Sequence, residues 1–442
     1  MEKETVQVER SNLHHSQVVE VPLEKRAQNE IQDDSKTAQP PPQLVADSLR
    51  QVAWTNGEVD APHGKLKQDL PILHWAFGVG CDFSGFFVEM LGMLRALQDR
   101  LPRFWADFGD CSPKMFGLLA QQEVLNVQTN HQRRPVGTAP KRVVKVQHHP
   151  VGSGCGWNAP RRPTEYRIMR TMSEQAFVPD GDLRCCKKVE EVWVPTQWHA
   201  ALYRDSGCPV VHVVAETVNT DFLDPSKVPK LPKKKFTFLS TFRWTARKGW
   251  DVLLEAYWAA FARDDDVVLK LRTYQAGWER TPGGPKGAAA RLARDRFAKD
   301  LSDLAEVHWV GHLSDTDESR EAMRNLYGSS DVFVLPTRGE GWGLPIMEAM
   351  SMSLPAIVTN FSGPTAFVDA RNGFPLQYKL QNRQAEPDRV HLRKLMRHVF
   401  EHPSEVSQKG AIARQDILHH WSAEKLGDEI LSRLQQISES WH

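Results

Sequence analysis

Short apolar runs recur along the chain between polar, glycine-punctuated stretches, and the intervals carry apolar residues at helical spacing. Residues 70–76 (LPILHWA) predict a first strand, followed by Gly78-Val79-Gly80 and a helix over 84–97 with Phe87, Met90, Leu91 and Leu94. Residues 143–146 predict the next strand, which runs into Gln147-His148-His149-Pro150. Residues 164–178 (TEYRIMRTMSEQAFV) predict a helix, with Ile168, Met169 and Met172 on one side and Arg170 and Glu174 spaced as an i,i+4 pair. Strands over 191–194 and 210–214 complete this first series. A second series places strands at 236–240, 267–271, 307–310, 332–335 and 356–359, with helical periodicity between them. Alternating strands and helices build a mainly parallel sheet, so two such series imply two doubly wound sheets in an α/β chain. Helical spacing over 391–401, 404–420 and 423–436 closes the sequence.

At 442 residues the chain exceeds what one hydrophobic core organises. Residues 1–68, rich in Gln, Glu, Lys, Asp and Ser with few aromatics, predict a disordered polar tail. Residues 69–225 then form the first Rossmann-like domain, the proline-punctuated basic stretch 226–235 a linker, and 236–415 the second Rossmann-like domain. Residues 416–442 are expected to be a C-terminal helix packing across the domains. A formal net charge of +1 gives no electrostatic reason to expect nucleic acid. The six cysteines all lie in the first half without paired C-x-x-C spacing, which predicts reduced thiols and no structural zinc. No apolar run reaches the length of a transmembrane segment, and a cytoplasmic protein is the expectation.

The chemistry concentrates in residues 331–350, DVFVLPTRGEGWGLPIMEAM. An apolar strand passes through a glycine turn into a helix, a geometry in which unpaired amides at the helix N-terminus attract an anion. Glu340 lies on the turn and Glu348 on the helix, and Gly341 and Gly343 let a ligand approach the backbone. An anion site flanked by two carboxylates suits a nucleotide sugar. Arg243 and Lys248 follow the first strand of the same domain, and loops at the carboxyl ends of parallel strands share one edge of the sheet. Two cations so placed match a diphosphate, the arginine as a fork and the lysine as a point charge. The acidic pairs Asp180-Gly-Asp182, Asp264-Asp265-Asp266 and Asp315-Thr-Asp317 lie in polar stretches and read as solvated loops, so no metal site is expected.

Arg243-x4-Lys248-Gly249 together with Glu340-Gly-x-Gly-Leu-Pro-x-x-Glu348 resembles the donor site of the family 4 retaining glycosyltransferases, over roughly residues 70–435. The resemblance implies the GT-B fold, two Rossmann-like domains facing a cleft. It also implies that Arg243 and Lys248 neutralise a departing nucleoside diphosphate and that Glu340 contacts hydroxyls of the donor sugar. On the same basis Gly341, Trp342, Gly343 and Leu344 would approach sugar and phosphate, and Glu348 would bind the ribose hydroxyls. The family's histidine after a strand of the first domain corresponds to His148 or His149, and Gly80 belongs to a loose version of its glycine loop. His312 and Leu313 fall in the loop that would meet the base of a UDP- or GDP-linked donor.

The implied reaction is sugar transfer with retention, without a metal or other cofactor, to an acceptor that is a glycan, a lipid or a small molecule. A GT-B epimerase or phosphorylase is the alternative among enzymes, and a non-catalytic nucleotide-sugar-binding protein is the alternative outside them.

Overall fold

The computed structural model describes residues 70–77, 85–97, 100–101, 104–107, 142–148, 157, 160–229, 235–275, 281–311 and 317–441. Two parallel six-stranded sheets dominate these residues. The first contains β1 (Ile72–Phe77), β2 (Phe104–Asp107), β3 (Val143–His148), β4 (Glu165–Arg170), β5 (Glu191–Val194) and β6 (Val211–Val213), in the order β2-β1-β3-β4-β5-β6. The second contains β7 (Phe236–Arg243), β8 (Val267–Tyr274), β9 (Val307–Val310), β10 (Val332–Leu335), β11 (Ala356–Thr359) and β12 (Phe374–Leu376). Their order is β12-β11-β10-β7-β8-β9, so β7 and β10 are neighbours despite nearly a hundred intervening residues. A short antiparallel hairpin, β13 (Tyr378–Gln381) and β14 (Gln384–Pro387), follows.

The helices are α1 (Gly85–Leu97), α2 (Asp180–Cys186) and α3 (Gln197–Asp205) beside the first sheet, and α4 (Trp250–Ala260), α5 (Gly284–Phe297), α6 (Asp317–Gly328) and α7 (Leu344–Ser351) between strands of the second. Helices α8 (Arg389–Glu401), α9 (Pro403–His420) and α10 (Ala423–Ser440) end the chain. Strands such as β10, β11 and β5 are buried at every position, as expected where helices cover both faces of a parallel sheet. The last helix returns to the first sheet. Leu426, Ile430, Leu434 and Ile437 of α10 pack with Met93 and Leu97 of α1 and with Trp75 and Trp193 in one apolar cluster.

Three expectations are corrected. The helix predicted over 164–178 is instead the strand β4, paired in parallel with β3 and β5 at the centre of the first sheet. Its apolar residues mimic helical spacing, but burial on both faces suits a central strand, and Arg170 and Glu174 find other partners. Asp182 is not solvated: it is fully buried on α2 and accepts hydrogen bonds from Tyr203 Oη at 2.7 Å and Thr171 Oγ1 at 3.2 Å. Cys186 and Cys208 are disulfide-bonded with Cα atoms 5.5 Å apart, and among the described cysteines none is free. The ends of α2 and α3 cover the same face of the sheet, which brings together two thiols that sequence spacing leaves unrelated. Disulfides of this kind persist in oxidising surroundings.

Candidate donor site

β7 and β10 lie side by side, so the segments leaving their carboxyl ends meet. Arg243 is the last residue of β7 and is half-buried. A single 3-10 turn, Ala246–Lys248, follows and hands over to α4 through Gly249, whose φ of 68° lies in the left-handed region. A Cβ at Gly249 would stand 1.8 Å from the Pro336 carbonyl oxygen, so only glycine lets the two loops touch.

The turn after β10 is braced from several directions. Arg338 makes a two-pronged contact with Asp251 at 2.8 Å and reaches Glu386 at 2.7 Å, and its amide donates to the Arg247 carbonyl at 2.7 Å. Beyond it the Glu340 amide donates to Ser362 Oγ at 3.0 Å. Ser362 itself has φ 58°, an unusual conformation for a residue with a side chain.

These constraints fix the Glu340 carboxylate, which is almost completely buried. Lys248 Nζ donates to both of its oxygens, at 2.6 and 2.7 Å, and Thr337 Oγ1 donates at 2.9 Å. Arg247 lies 3.4 Å away and also pairs with Glu174 of the loop after β4 at 2.8 Å. Burial alone would raise the Glu340 pKa, but the Lys248 and Arg247 charges outweigh it and hold the carboxyl below its ordinary range. Burial lowers the Lys248 pKa, against the pull of Glu340. Glu348 differs: burial raises its pKa, while the Tyr327 hydroxyl donates to it at 2.7 Å and Arg272 and Arg320 oppose the rise.

Gly343, with φ 106°, precedes α7, and Leu344 and Pro345 begin the helix. Pro345 has no amide hydrogen, and the Ile346 and Met347 amides return to the Gly343 carbonyl at 2.8 and 3.2 Å. It is therefore the Leu344 amide, the glycine-turn backbone before it and the positive end of the helix dipole that make this end receptive to negative charge. The Trp342 side chain turns into the core, 5.0 Å from the ring of Phe367 and 5.2 Å from that of Trp421, so only its backbone can serve a ligand. The structure therefore gathers Lys248, Glu340 and the 341–344 backbone at the adjoining ends of β7 and β10, with Glu348 further along α7. Gly80, His149, His312 and Leu313 lie outside the described residues.

His148 ends β3 and is fully buried, with Nε2 3.1 Å from Glu89 Oε2. Glu89, on α1, also accepts from Arg170 Nε at 2.7 Å. Burial tends to raise the Glu89 pKa, but Arg170 and His148 overcome it and the group is lowered overall. Sequence reading missed Arg247, Thr337, Ser362, Glu89 and Arg170. Arg247 stood beside Lys248 in a basic turn and could have been found there; Glu89 had no local cue on a helix otherwise read for its apolar face. Among the described residues no group of three or more His, Cys, Asp or Glu could hold a metal ion.

Residues 233–386 match the family model described as Glycosyl transferases group 1. Over 70 residues the chain is 39% identical to sucrose synthase of Melioribacter roseus, covering 16% of this chain and 9% of that protein. It is 26% identical over 223 residues to D-inositol 3-phosphate glycosyltransferase of Corynebacterium diphtheriae, covering 48% of each. The chain thus spans less than half the length of these curated relatives. Among solved structures, sucrose-phosphate synthase of Thermosynechococcus elongatus superposes with a TM-score of 0.59 at 15% identity, over 84% of this chain and all (100%) of that one. The fold is GT-B: parallel sheets flanked by helices, with a helical C-terminus.

Proposed function

We propose that the protein is a glycosyltransferase that moves a sugar from a nucleoside diphosphate to an acceptor hydroxyl, with retention of anomeric configuration and without a metal. One observation carries this reading: the buried Lys248–Glu340 pair, at 2.6 and 2.7 Å, stands at the start of the glycine turn that leads into α7. A carboxylate held ionised by its own lysine can accept hydrogen bonds from sugar hydroxyls, while the same ammonium, Arg243 and the helix N-terminus face a diphosphate. Glu348, further along the helix, takes the ribose hydroxyls.

As the bond from the anomeric carbon to the β-phosphate oxygen breaks, negative charge grows on the diphosphate and positive charge on the sugar. Preorganised cations and amides stabilise that separation more than the ground state, so the leaving group needs no divalent ion. The acceptor oxygen forms the new bond on the face the diphosphate leaves, and its proton passes to the released phosphate. His148, held 3.1 Å from Glu89, is the residue we assign to the sugar from the first sheet.

Nucleoside diphosphate release from UDP- and GDP-linked hexoses, with candidate acceptors and in the presence of EDTA, tests the reading. Turnover is expected in the wild type and is expected to fall on the order of a hundredfold in Arg243→Ala or Glu348→Ala. Wild-type rates in both variants would overturn the assignment. Proton NMR of the product's anomeric centre tests retention.

A further inference from the structure

Resting on the nucleotide-sugar reading above, we propose that Glu216 positions the donor sugar, presenting its carboxyl from the first sheet to a sugar hydroxyl. Glu216 follows β6, the edge strand of that sheet, in a buried segment that leads toward the second sheet. Its side chain is only 2% exposed, and its Oε1 is buried without a hydrogen-bond partner. The nearest cation, Arg170, stands 4.0 Å away, already engaged by Glu89 Oε1 and by the Val214 carbonyl. One guanidinium thus faces two buried carboxyl groups and satisfies only Glu89.

A buried polar atom without a partner costs free energy and marks a place where a partner is missing. The surrounding charges say what kind. Burial raises the Glu216 pKa well above the ordinary carboxylate value, and the negative charges of Glu89 and Glu340 push it further against the opposing Arg170. Burial and these charges favour the protonated carboxyl, which has an O–H to donate. The adjacent Thr217 bonds the Trp421 backbone, and the Trp421 ring lies 5.2 Å from that of Trp342, which brings the segment towards the glycine turn of the proposed sugar subsite. A neutral hydroxyl is the chemistry that fits: it accepts from the Glu216 carboxyl and donates to an ionised acceptor such as Glu340. A phosphate would be met better by the cations of the second sheet. Thr217, next in sequence, donates to the Trp421 carbonyl at 2.7 Å, which fixes the backbone that carries Glu216.

The test is calorimetric titration of the full chain with UDP, GDP, UDP-glucose and GDP-mannose, using wild type, Glu216→Ala and Glu216→Gln. The bare diphosphate that the wild type binds is expected to bind both variants equally well. The matching sugar nucleotide is expected to bind Glu216→Ala about tenfold more weakly, the loss of one hydrogen bond, whereas Glu216→Gln keeps a neutral donor and recovers most of the affinity. Unchanged sugar-nucleotide affinity in Glu216→Ala, or equal weakening of diphosphate and sugar nucleotide, overturns the inference and leaves the proposed function standing. A wild type that binds none of the four ligands overturns both.

Discussion

His199 carries a tautomer that its neighbours dictate. Its Nε2 lies 2.7 Å from the Ser173 carbonyl, which can only accept, so Nε2 bears the proton. Nδ1 then accepts from Thr196 Oγ1 at 2.8 Å, while that same oxygen receives the His199 amide at 3.2 Å and caps α3. The ring thereby holds the loop whose next residue, Glu174, grips Arg247 beside Glu340. Burial pushes the imidazole pKa down from 6.5 to about 3, with the Ser173 carbonyl opposing. A lowered folded-state pKa means that the unfolded chain binds the proton first. The contribution of neutral His199 is therefore complete above pH 6.5 and is lost as pH falls towards 3. Urea titrations between these limits are expected to show that His199→Gln loses stability with acid less steeply than the wild type, by up to about 1.4 kcal/mol per pH unit. Parallel pH profiles would show that the ring is not buried neutral.

Among the elements, the loop leaving β7 and the turn leaving β10 depend on contact between backbones. Gly249 combines φ 68° with a Cβ position 1.8 Å from the Pro336 oxygen, whereas Gly207 has φ 95° and open space around it. Alanine at either position incurs left-handed strain of about 1 kcal/mol, but only at 249 must the two loops separate as well. Gly207→Ala is expected to cost about that strain alone, and Gly249→Ala about 3 kcal/mol, with weakened diphosphate binding because Lys248 moves. Chemical denaturation of both variants checks the difference, and equal costs would refute the backbone contact.

Glycine turns of this kind were legible in the sequence. So were most strands, since a buried parallel strand writes itself as an apolar run: Val332–Leu335 and Ala356–Thr359 are examples. Glu165–Arg170 was not, because Ile168, Met169 and Met172 satisfy helical spacing while the deciding fact, pairing to β3 and β5, is tertiary. Strand β2 (Phe104–Asp107) was missed for a different reason: four residues with a central Trp-Ala have too little pattern to stand out. At the candidate site, glycine spacing pointed to Lys248, Glu340 and Glu348, and the structure pairs the first two and sets the third on the following helix. No such spacing pointed to Glu216 and Glu89, because their chemistry comes from neighbours distant in sequence.

At the scale of the molecule, the last helix returns to the first sheet. After building the second sheet the chain sends α10 back against α1, and one ionic anchor of that return, beside the Arg100–Asp428 pair, is Arg433, whose guanidinium hydrogen-bonds Glu191 through Nε at 3.1 Å and again through Nη2. Glu191 sits at the start of β5 with a fully buried side chain, and also accepts from Tyr166 Oη at 2.5 Å and Trp193 Nε1 at 2.9 Å. Burial works to raise its pKa, but the bonds from Arg433, Tyr166 and Trp193 lower it below 4.5. The stabilisation from this anchor is thus present above pH 4.5 and fades as pH falls through the lower folded-state value. Arg433→Met keeps the aliphatic length of the side chain and strands the carboxylate, an uncompensated buried charge that costs about 3–5 kcal/mol at neutral pH. Without Arg433 the raising effect of burial has less to oppose it, so the stranded group takes up a proton as pH falls and most of that cost disappears. Urea denaturation of the variant and the wild type at pH 7 and pH 4 is therefore expected to show a large gap that narrows in acid. A gap of the same size at both values would mean that Arg433 holds α10 by packing rather than by charge, alongside the apolar contacts of Leu426, Ile430, Leu434 and Ile437.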